Sequence, residues 1–133
     1  MPNELSAPCR PTELDLAGLA GFFDGEGCCT TVMSGRLVRA HVLITQKNRV
    51  PLEEIRKWFP SGVINYASGQ SSALHFNTDS SMKEFLEALL PHLRIKGRVA
   101  TPVLEHLILR TSSKDDPKHL LIRAEIKQLN GVD

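Results

Sequence analysis

The 133-residue sequence has few of the features that mark secreted or membrane-spanning chains. It holds three cysteines, two of them adjacent at Cys28 and Cys29, which is a poor basis for a disulfide framework or a zinc site and indicates reduced thiols. No apolar run approaches the ~18 residues of a membrane span. No basic region followed by an apolar stretch opens the chain, so we expect no secretory signal. These absences predict an intracellular protein of the cytoplasm, the nucleoid or an organelle, with no membrane partner.

The composition is that of an ordinary globular domain. Hydrophobic residues make up 41% and charged residues 23% of the chain, which argues against disorder. The length suits one domain with a modest core. Residues 1–11 carry three prolines and no periodic pattern, so they are predicted to be a flexible lead-in to a single domain over residues 12–133.

The net charge of +1 conceals an uneven distribution. Residues 27–50 contain no acid and four basic residues, namely Arg36, Arg39, Lys47 and Arg49. Residues 92–104 form a second acid-free, basic stretch. A one-sided basic surface can bind phosphates while the total charge stays near zero. Chance clustering on solvated faces explains the same pattern equally well.

The periodicity predicts alternating helices and hairpins. A capping box at Thr12-x-x-Asp15 opens a first helix that ends near Asp24. The other predicted elements are strands 28–34 and 37–46, a helix from Pro51, strands 63–67 and 72–77, a helix opened by a Ser81-x-x-Glu84 capping box, and helices 101–110 and 117–130. This αββαββα order predicts an α+β fold with an antiparallel four-stranded sheet whose helices cover one face and leave the other open, as a saddle.

The first helix carries a stripe of small residues, formed by Ala17, Ala20, Gly21 and Asp24. Glycine inside a helix costs ~1 kcal/mol relative to alanine, which usually has a packing reason. Small side chains let another backbone approach closely, and the sequence offers no second helix of this kind. The stripe therefore predicts a homodimer through this helix. The alternative is an ordinary buried helix with a glycine-rich end.

A twofold axis between two such helices has a chemical consequence at Glu26. This residue and its symmetry mate would lie a few ångströms apart, where two like charges repel unless a proton or a cation lies between them. Magnesium suits such a pair, because it prefers oxygen ligands and keeps several waters. In the alternative structure, Glu26 is simply exposed.

The nonapeptide from Leu19 to Gly27, LAGFFDGEG, resembles the LAGLIDADG motif of a family of homing endonucleases. The matching residues are Leu19, Ala20, Gly21, Asp24 and Gly27, and Glu26 stands where the family carries Asp or Glu. The resemblance covers roughly residues 13–130 and includes the element order. The chain has one copy of the motif, which in this family implies a homodimer.

The resemblance also implies site residues. Glu26 would be the essential metal-binding carboxylate, and the carbonyl of Gly25 an additional metal ligand. Gln46 would organise active-site water, and Lys96 would lie near the scissile phosphate. The implied cofactor is Mg²⁺, with Mn²⁺ as a possible substitute, whereas Asp24 is expected to be structural and to bond backbone at the helix end.

The open face of the sheet is predicted to read the major groove of double-stranded DNA. Candidate DNA-contacting residues are the outward and turn residues of the hairpins, namely Thr30, Ser34, Arg36, Arg39, His41, Thr45, Lys47, Arg49, Asn65, His75 and Asn77. Val32 and Leu43 share this face. A homodimer should favour a long, nearly palindromic site.

The leading hypothesis is thus a site-specific, metal-dependent homing endonuclease. Family resemblance further implies a four-base 3′ overhang and a gene carried by an intron or intein. Alternatives are an RNA-splicing maturase that binds intron RNA, or a DNA-binding protein of the same fold that does not cleave. A structural dimer without a nucleic-acid partner fits the basic stretches least well.

Overall fold

A computed structural model describes residues 10–66 and 69–131 of the chain, so most of the predicted lead-in lies outside the described residues. Its elements follow the predicted order. They are α1 (Glu13–Glu26), β1 (Gly27–Ser34), β2 (Leu37–Gln46), α2 (Arg49–Trp58), β3 (Val63–Tyr66), β4 (Ser72–Phe76), α3 (Asp79–Leu89), a 3₁₀ turn (Leu90–His92), α4 (Gly97–Ser112) and α5 (Lys118–Leu129). Among the described residues, no helix is both long and apolar enough to cross a lipid bilayer.

The four strands form one antiparallel sheet in the order β1-β2-β4-β3. The helices cover one of its faces, where inward residues such as Val42, Ile44 and Leu74 pack against Phe23 and Phe85. The opposite face carries no element among the described residues. The α+β fold with an open saddle is therefore confirmed.

The first helix begins and ends where local chemistry requires. The predicted capping box is confirmed, with the N–H of Asp15 donating to Thr12 Oγ1 at 3.1 Å and the N–H of Thr12 to the Asp15 carboxylate at 2.9 Å. Gly27 closes the helix by donating its N–H to the carbonyl of Phe23. A Cβ at Gly27 would collide with the Phe23 ring, so this step from helix to strand requires glycine.

Three predicted helix starts are wrong. Asn48 caps α2 by accepting the N–H of Val50 at 3.0 Å, so this helix begins two residues before Pro51. Thr78, not Ser81, caps α3, because Ser81 is buried at the third helical position and completes a capping box with Thr78. The helix predicted from Thr101 begins at Gly97.

The hairpins match the prediction closely. β1 and β2 join at a turn where Gly35 has a φ of 63°, a conformation that favours glycine. The second hairpin is shorter than predicted, since β4 ends at Phe76. The predicted strand end at Ala67 lies outside the described residues.

Candidate functional site

The open face of the sheet is defined here by the outward residues of its four strands. They are Cys28, Thr30, Val32, Ser34, Leu37, Arg39, His41, Leu43, Thr45, Val63, Asn65, Ala73 and His75. This set contains no acidic residue. It contains the cation Arg39 and two imidazoles, so its chemistry suits an anionic or acceptor-rich ligand.

Most predicted DNA-contacting residues lie on this face or at its margins. Thr30, Ser34, Arg39, His41, Thr45, Asn65 and His75 belong to the open face itself. Arg36 lies in the β1–β2 turn, Lys47 directly after β2, and Asn77 directly after β4, and all three are exposed.

Arg49 is the predicted DNA contact that lies furthest from the strands of the open face, because it belongs to α2. It is the first residue of α2, and its Nε lies 3.0 Å from the carboxylate of Glu53 one turn on. Both side chains are about half exposed, so this pair is weak and leaves the guanidinium accessible.

The end of α1 lies at the margin of the open face. Gly27 pairs with Ile44, two residues before β2 ends at Gln46, so the helix end and Gln46 share one end of the sheet. Gly25 and Glu26 are exposed there. Within the described residues, no hydrogen bond or ion pair engages the Glu26 carboxylate.

Asp24 binds a segment 70 residues further along the chain. Its carboxylate accepts the backbone N–H groups of Arg94 at 2.8 Å, Ile95 at 3.1 Å and Lys96 at 2.8 Å. Burial raises the pKa of this carboxyl, but these hydrogen bonds outweigh it and hold the pKa below its usual value of 3.8. The expected structural role of Asp24 is confirmed, and its partner is the segment that carries Lys96.

Lys96 is thereby fixed beside the motif. Its Nζ donates to the carbonyl of Asp24 at 2.9 Å, two residues before Glu26. The C-terminal end of a helix favours a cation, because its last carbonyls carry partial negative charge. The structure thus brings Lys96 and Glu26, predicted from sequence as catalytic, to the same helix end.

Neither cysteine near this end favours the thiolate form in the metal-free chain. Burial raises the pKa of the Cys29 thiol to about 12. Burial also raises the pKa of Cys28, although the charge of Lys96 opposes the shift. Neutral thiols are poor ligands, whereas the Glu26 carboxylate and the Gly25 carbonyl are exposed oxygen donors. This donor set fits Mg²⁺ or a similar hard cation.

The remaining donors of such a site must come from elsewhere. Within the described ranges, no group of three or more His, Cys, Asp or Glu side chains is close enough to hold a metal ion. Water, a bound ligand or a second chain would have to complete the coordination that one carboxylate and one carbonyl begin.

The small face of α1 differs from the predicted stripe at two of its four residues. Ala20 is 0% exposed in the chain's own core, so it cannot meet a second copy directly, and the carboxylate of Asp24 is occupied within the chain. The residues that lie open on this face are Ala17, Gly18, Gly21 and Gly25. A Cβ built at any of the three glycines meets no atom within 4 Å.

An apolar groove continues this small face toward α2. Leu14, which is 82% exposed, lies at its margin, and Pro51, Ile55 and Trp58 line its far side. The small face and the groove together form a mainly apolar surface that is open among the described residues, with Asp15 and Glu54 also in the lining of the groove.

Sequence reasoning missed two features of the site. The alternation of side chains along β1 could have placed Cys28 on the open face, because it lies two residues before Thr30, which the sequence predicts there. The hydrogen bonds from the backbone of residues 94–96 to the Asp24 carboxylate form a clamp on this segment. No local sequence pattern could have identified the clamp, because its acceptor lies about 70 residues away.

Comparisons with known proteins support the same fold. The sequence matches no protein-family model and no curated protein. Among solved structures, the homing endonuclease I-CvuI in complex with its target, in the presence of calcium, aligns with a TM-score of 0.79 at 26% identity over 88% of this chain and 82% of that one. The homing endonuclease I-TnaI aligns with a TM-score of 0.75 at 23% identity over 90% of each chain.

A longer protein aligns with the chain over only part of its length. The LAGLIDADG meganuclease I-AabMI, bound to uncleaved DNA, gives a TM-score of 0.73 at 19% identity over 89% of this chain and 44% of that one. The chain thus corresponds to nearly all of I-TnaI but to less than half of I-AabMI. The resemblance to the LAGLIDADG homing endonucleases, first seen in nine residues, is confirmed by the fold of the chain.

Proposed function

We propose that the chain is a metal-dependent endonuclease that acts as a homodimer and hydrolyses one phosphodiester on each strand of a specific DNA site. The observation that carries the proposal is the end of α1. There, exposed Glu26, clamped Lys96 and the small face of the helix meet at the margin of a sheet face without acids.

The small face supports the homodimer. Glycine at positions 18 and 21 costs ~1 kcal/mol each relative to alanine in a helix, and a Cβ at either position would meet no atom of the described residues within 4 Å. Close packing of a second copy of α1 against this face would explain why glycine is present despite its low helix propensity. The same contact would bring two Glu26 carboxylates close together.

A divalent cation bound between those two carboxylates would offset their electrostatic repulsion. The Glu26 carboxylate and the Gly25 carbonyl would hold it, with water and phosphate oxygens as the other ligands. When bound, the ion neutralises charge on the phosphate and lowers the pKa of a coordinated water. Mg²⁺ is the proposed ion, and Mn²⁺ the expected substitute; I-CvuI was crystallised with calcium and with magnesium.

The chain's own groups would complete the chemistry. Lys96 Nζ, held at the helix end, would place a positive charge near the scissile phosphate and stabilise negative charge as it develops. Gln46, at the end of β2, would orient the attacking water through its amide. Asp24 acts on neither group directly, but it fixes the backbone from which Lys96 extends.

The open face would bind the DNA duplex. Its polar side chains fit base edges in the major groove, while Arg36, Lys47 and Arg49 at its margins fit phosphates. Two faces related by a twofold axis would read a nearly palindromic site, as expected for the homodimer.

Cleavage of a plasmid library with a randomised insert tests the proposal without knowledge of the target. Purified chain with Mg²⁺ should linearise a small fraction of plasmids, and sequencing the ends should reveal one symmetric site. Glu26→Gln should bind that site and fail to cut it. Glu84→Gln, a matched change on α3 at the covered side of the sheet, should cut at the wild-type rate.

Two results would overturn the proposal. If the chain selects a DNA site yet never cuts it in Mg²⁺ or Mn²⁺, it is a binding protein or a maturase of this fold. If Glu26→Gln cuts as fast as wild type, the metal site has been placed on the wrong residue.

A further inference from the structure

Two histidines lie side by side at the centre of the open face. His41 on β2 and His75 on β4 are diagonal neighbours across the two central strands, because Leu43 is the residue that pairs directly with His75. Their rings are stacked, with centroids 6.2 Å apart and planes 28° apart. His41 is exposed and His75 is half-buried, and both lie on the open face of the two central strands.

No acidic residue lies on the open face of the described strands to stabilise a proton on this pair. The open-face residues of β1, β3 and β4 other than His75 are uncharged, and β2 contributes only Arg39, a second cation. Arg39 is turned toward the carbonyl of Asn77, 3.5 Å from its Nη2. Burial, followed by the nearby His41, lowers the pKa of His75 in the free chain.

A DNA duplex supplies what the protein face lacks. Its phosphates create a negative potential, and guanine presents two acceptors, N7 and O6, on its major-groove edge. A neutral imidazole has a single N–H donor, whereas an imidazolium has two. The pair lies on the two central strands, and the centre of a sheet that enters the major groove lies nearer to base edges than to phosphates.

We propose that the His41–His75 pair takes up a proton when it binds the major-groove edge of a guanine, so that site-specific DNA binding by this chain strengthens as pH falls. The inference rests on the proposed function only in that the open face must bind DNA; it needs no cleavage. Uptake of one proton makes affinity rise by up to about tenfold per pH unit. This rise in DNA affinity should occur between about pH 8 and pH 6, where imidazole titrates.

The test uses a duplex selected from a randomised pool by binding alone, with EDTA present so that no cleavage occurs. Anisotropy titrations of the full-length chain at about pH 7.5 and pH 6 should show at least about fivefold tighter binding at the lower pH. His41→Gln and His75→Gln keep a polar side chain but do not titrate, and should flatten the dependence. His92→Gln, a control on the helical side of the sheet, should leave it unchanged.

The identity of the acceptor is tested by replacing each guanine in turn with 7-deazaguanine, which lacks N7. One replacement should remove the pH dependence, and calorimetry in two buffers of different ionisation enthalpy should then detect no proton uptake. If every replacement leaves the dependence and raised salt abolishes it, a phosphate is the acceptor and the guanine assignment is wrong.

Other results would separate this inference from the proposed function. Tight binding that does not change with pH, in a chain that still cuts DNA, would overturn the inference alone. Absence of binding to any duplex would overturn both.

Discussion

A buried histidine pair between α4 and α5 makes the stability of the fold depend on pH. His106, which is 0% exposed, and His119 have their Nδ1 atoms 2.8 Å apart, and His119 Nε2 lies 2.7 Å from the carbonyl of Ser113. A carbonyl only accepts, so His119 Nε2 carries the proton and its Nδ1 accepts from His106 Nδ1. This leaves His106 Nε2 unprotonated and, among the described residues, without a partner.

This arrangement requires both rings to be neutral. A further proton on the buried His106 Nε2 would have no acceptor among the described residues. A further proton on His119 Nδ1 would make it a donor facing the donor His106 Nδ1. Burial, followed by the charges of His119 and Arg110, lowers the pKa of His106 to about 4 from its usual 6.5. A lowered histidine pKa means that stability is complete above about pH 6.5 and is lost as pH falls toward about pH 4.

The magnitude follows from the size of the shift. Between about pH 7.5 and pH 5 the unfolded state binds the proton and the folded state does not, so the free energy of unfolding should fall by about 2 kcal/mol. Urea unfolding at these two pH values measures it, above the range where most carboxyls titrate. His106→Leu should remove most of this dependence, and His92→Gln should keep it.

The reasoning is refuted if wild type and His106→Leu lose the same stability over this range. If His106→Leu fails to fold, an NMR titration of the wild-type imidazoles provides the same test. The ring of His106 should then stay neutral down to about pH 5, and its protonation near pH 6.5 would contradict the assigned tautomers.

Three further outcomes are expected from the site. Gly21→Leu should leave the chain folded, since leucine is favoured over glycine in a helix by ~1 kcal/mol, but should convert the dimer to monomer in light scattering, whereas Ala124→Leu should not; a persistent dimer would contradict the interface. Asp24→Asn should lower the free energy of unfolding by about 2 kcal/mol, because charge-assisted hydrogen bonds are lost, and a loss under about 0.5 kcal/mol would refute the clamp. Lys96→Met should slow cleavage at least about tenfold with little change in DNA affinity, and Lys57→Met should do neither; equal rates would remove Lys96 from the catalytic site.

The strands and their outward residues could be predicted because the evidence for them is local. Alternation along β2 separates Arg39, His41 and Thr45 from the buried residues between them, and a strand has only two faces. The end of β2 at Gln46 followed from the same pattern.

The helix boundaries failed where the deciding contact is not local. Thr78 and Ser81 both fit a capping pattern, and Thr78 is the cap because the position of Ser81 faces the core. The start of α4 at Gly97 follows the segment that Asp24 binds, and spacing along the sequence does not report that contact. The small size of Ala20 predicts a place on the small face, but Ala20 lies on the buried side of the helix together with Leu19 and Phe23.

The two ends of α4 are supported by groups that lose their stabilising effect at different pH values as pH falls. Asp24 holds the segment leading into its first turn, and because the pKa of Asp24 lies below 3.8, this carboxylate stays ionised at about pH 5. The histidine pair, which joins the later turns of α4 to α5, is stable only while neutral.

Mild acid should therefore loosen α5 before it disturbs the end of α1. Hydrogen exchange followed by mass spectrometry at about pH 5 should find the amides of α5 less protected than at about pH 7, after correction for intrinsic rates, while the amides of residues 94–96 keep their protection. Loss of protection at residues 94–96 before α5 would mean that the clamp on Lys96 depends on α5. The candidate catalytic end of α1 would then be supported by the C-terminal helices and not by Asp24 alone.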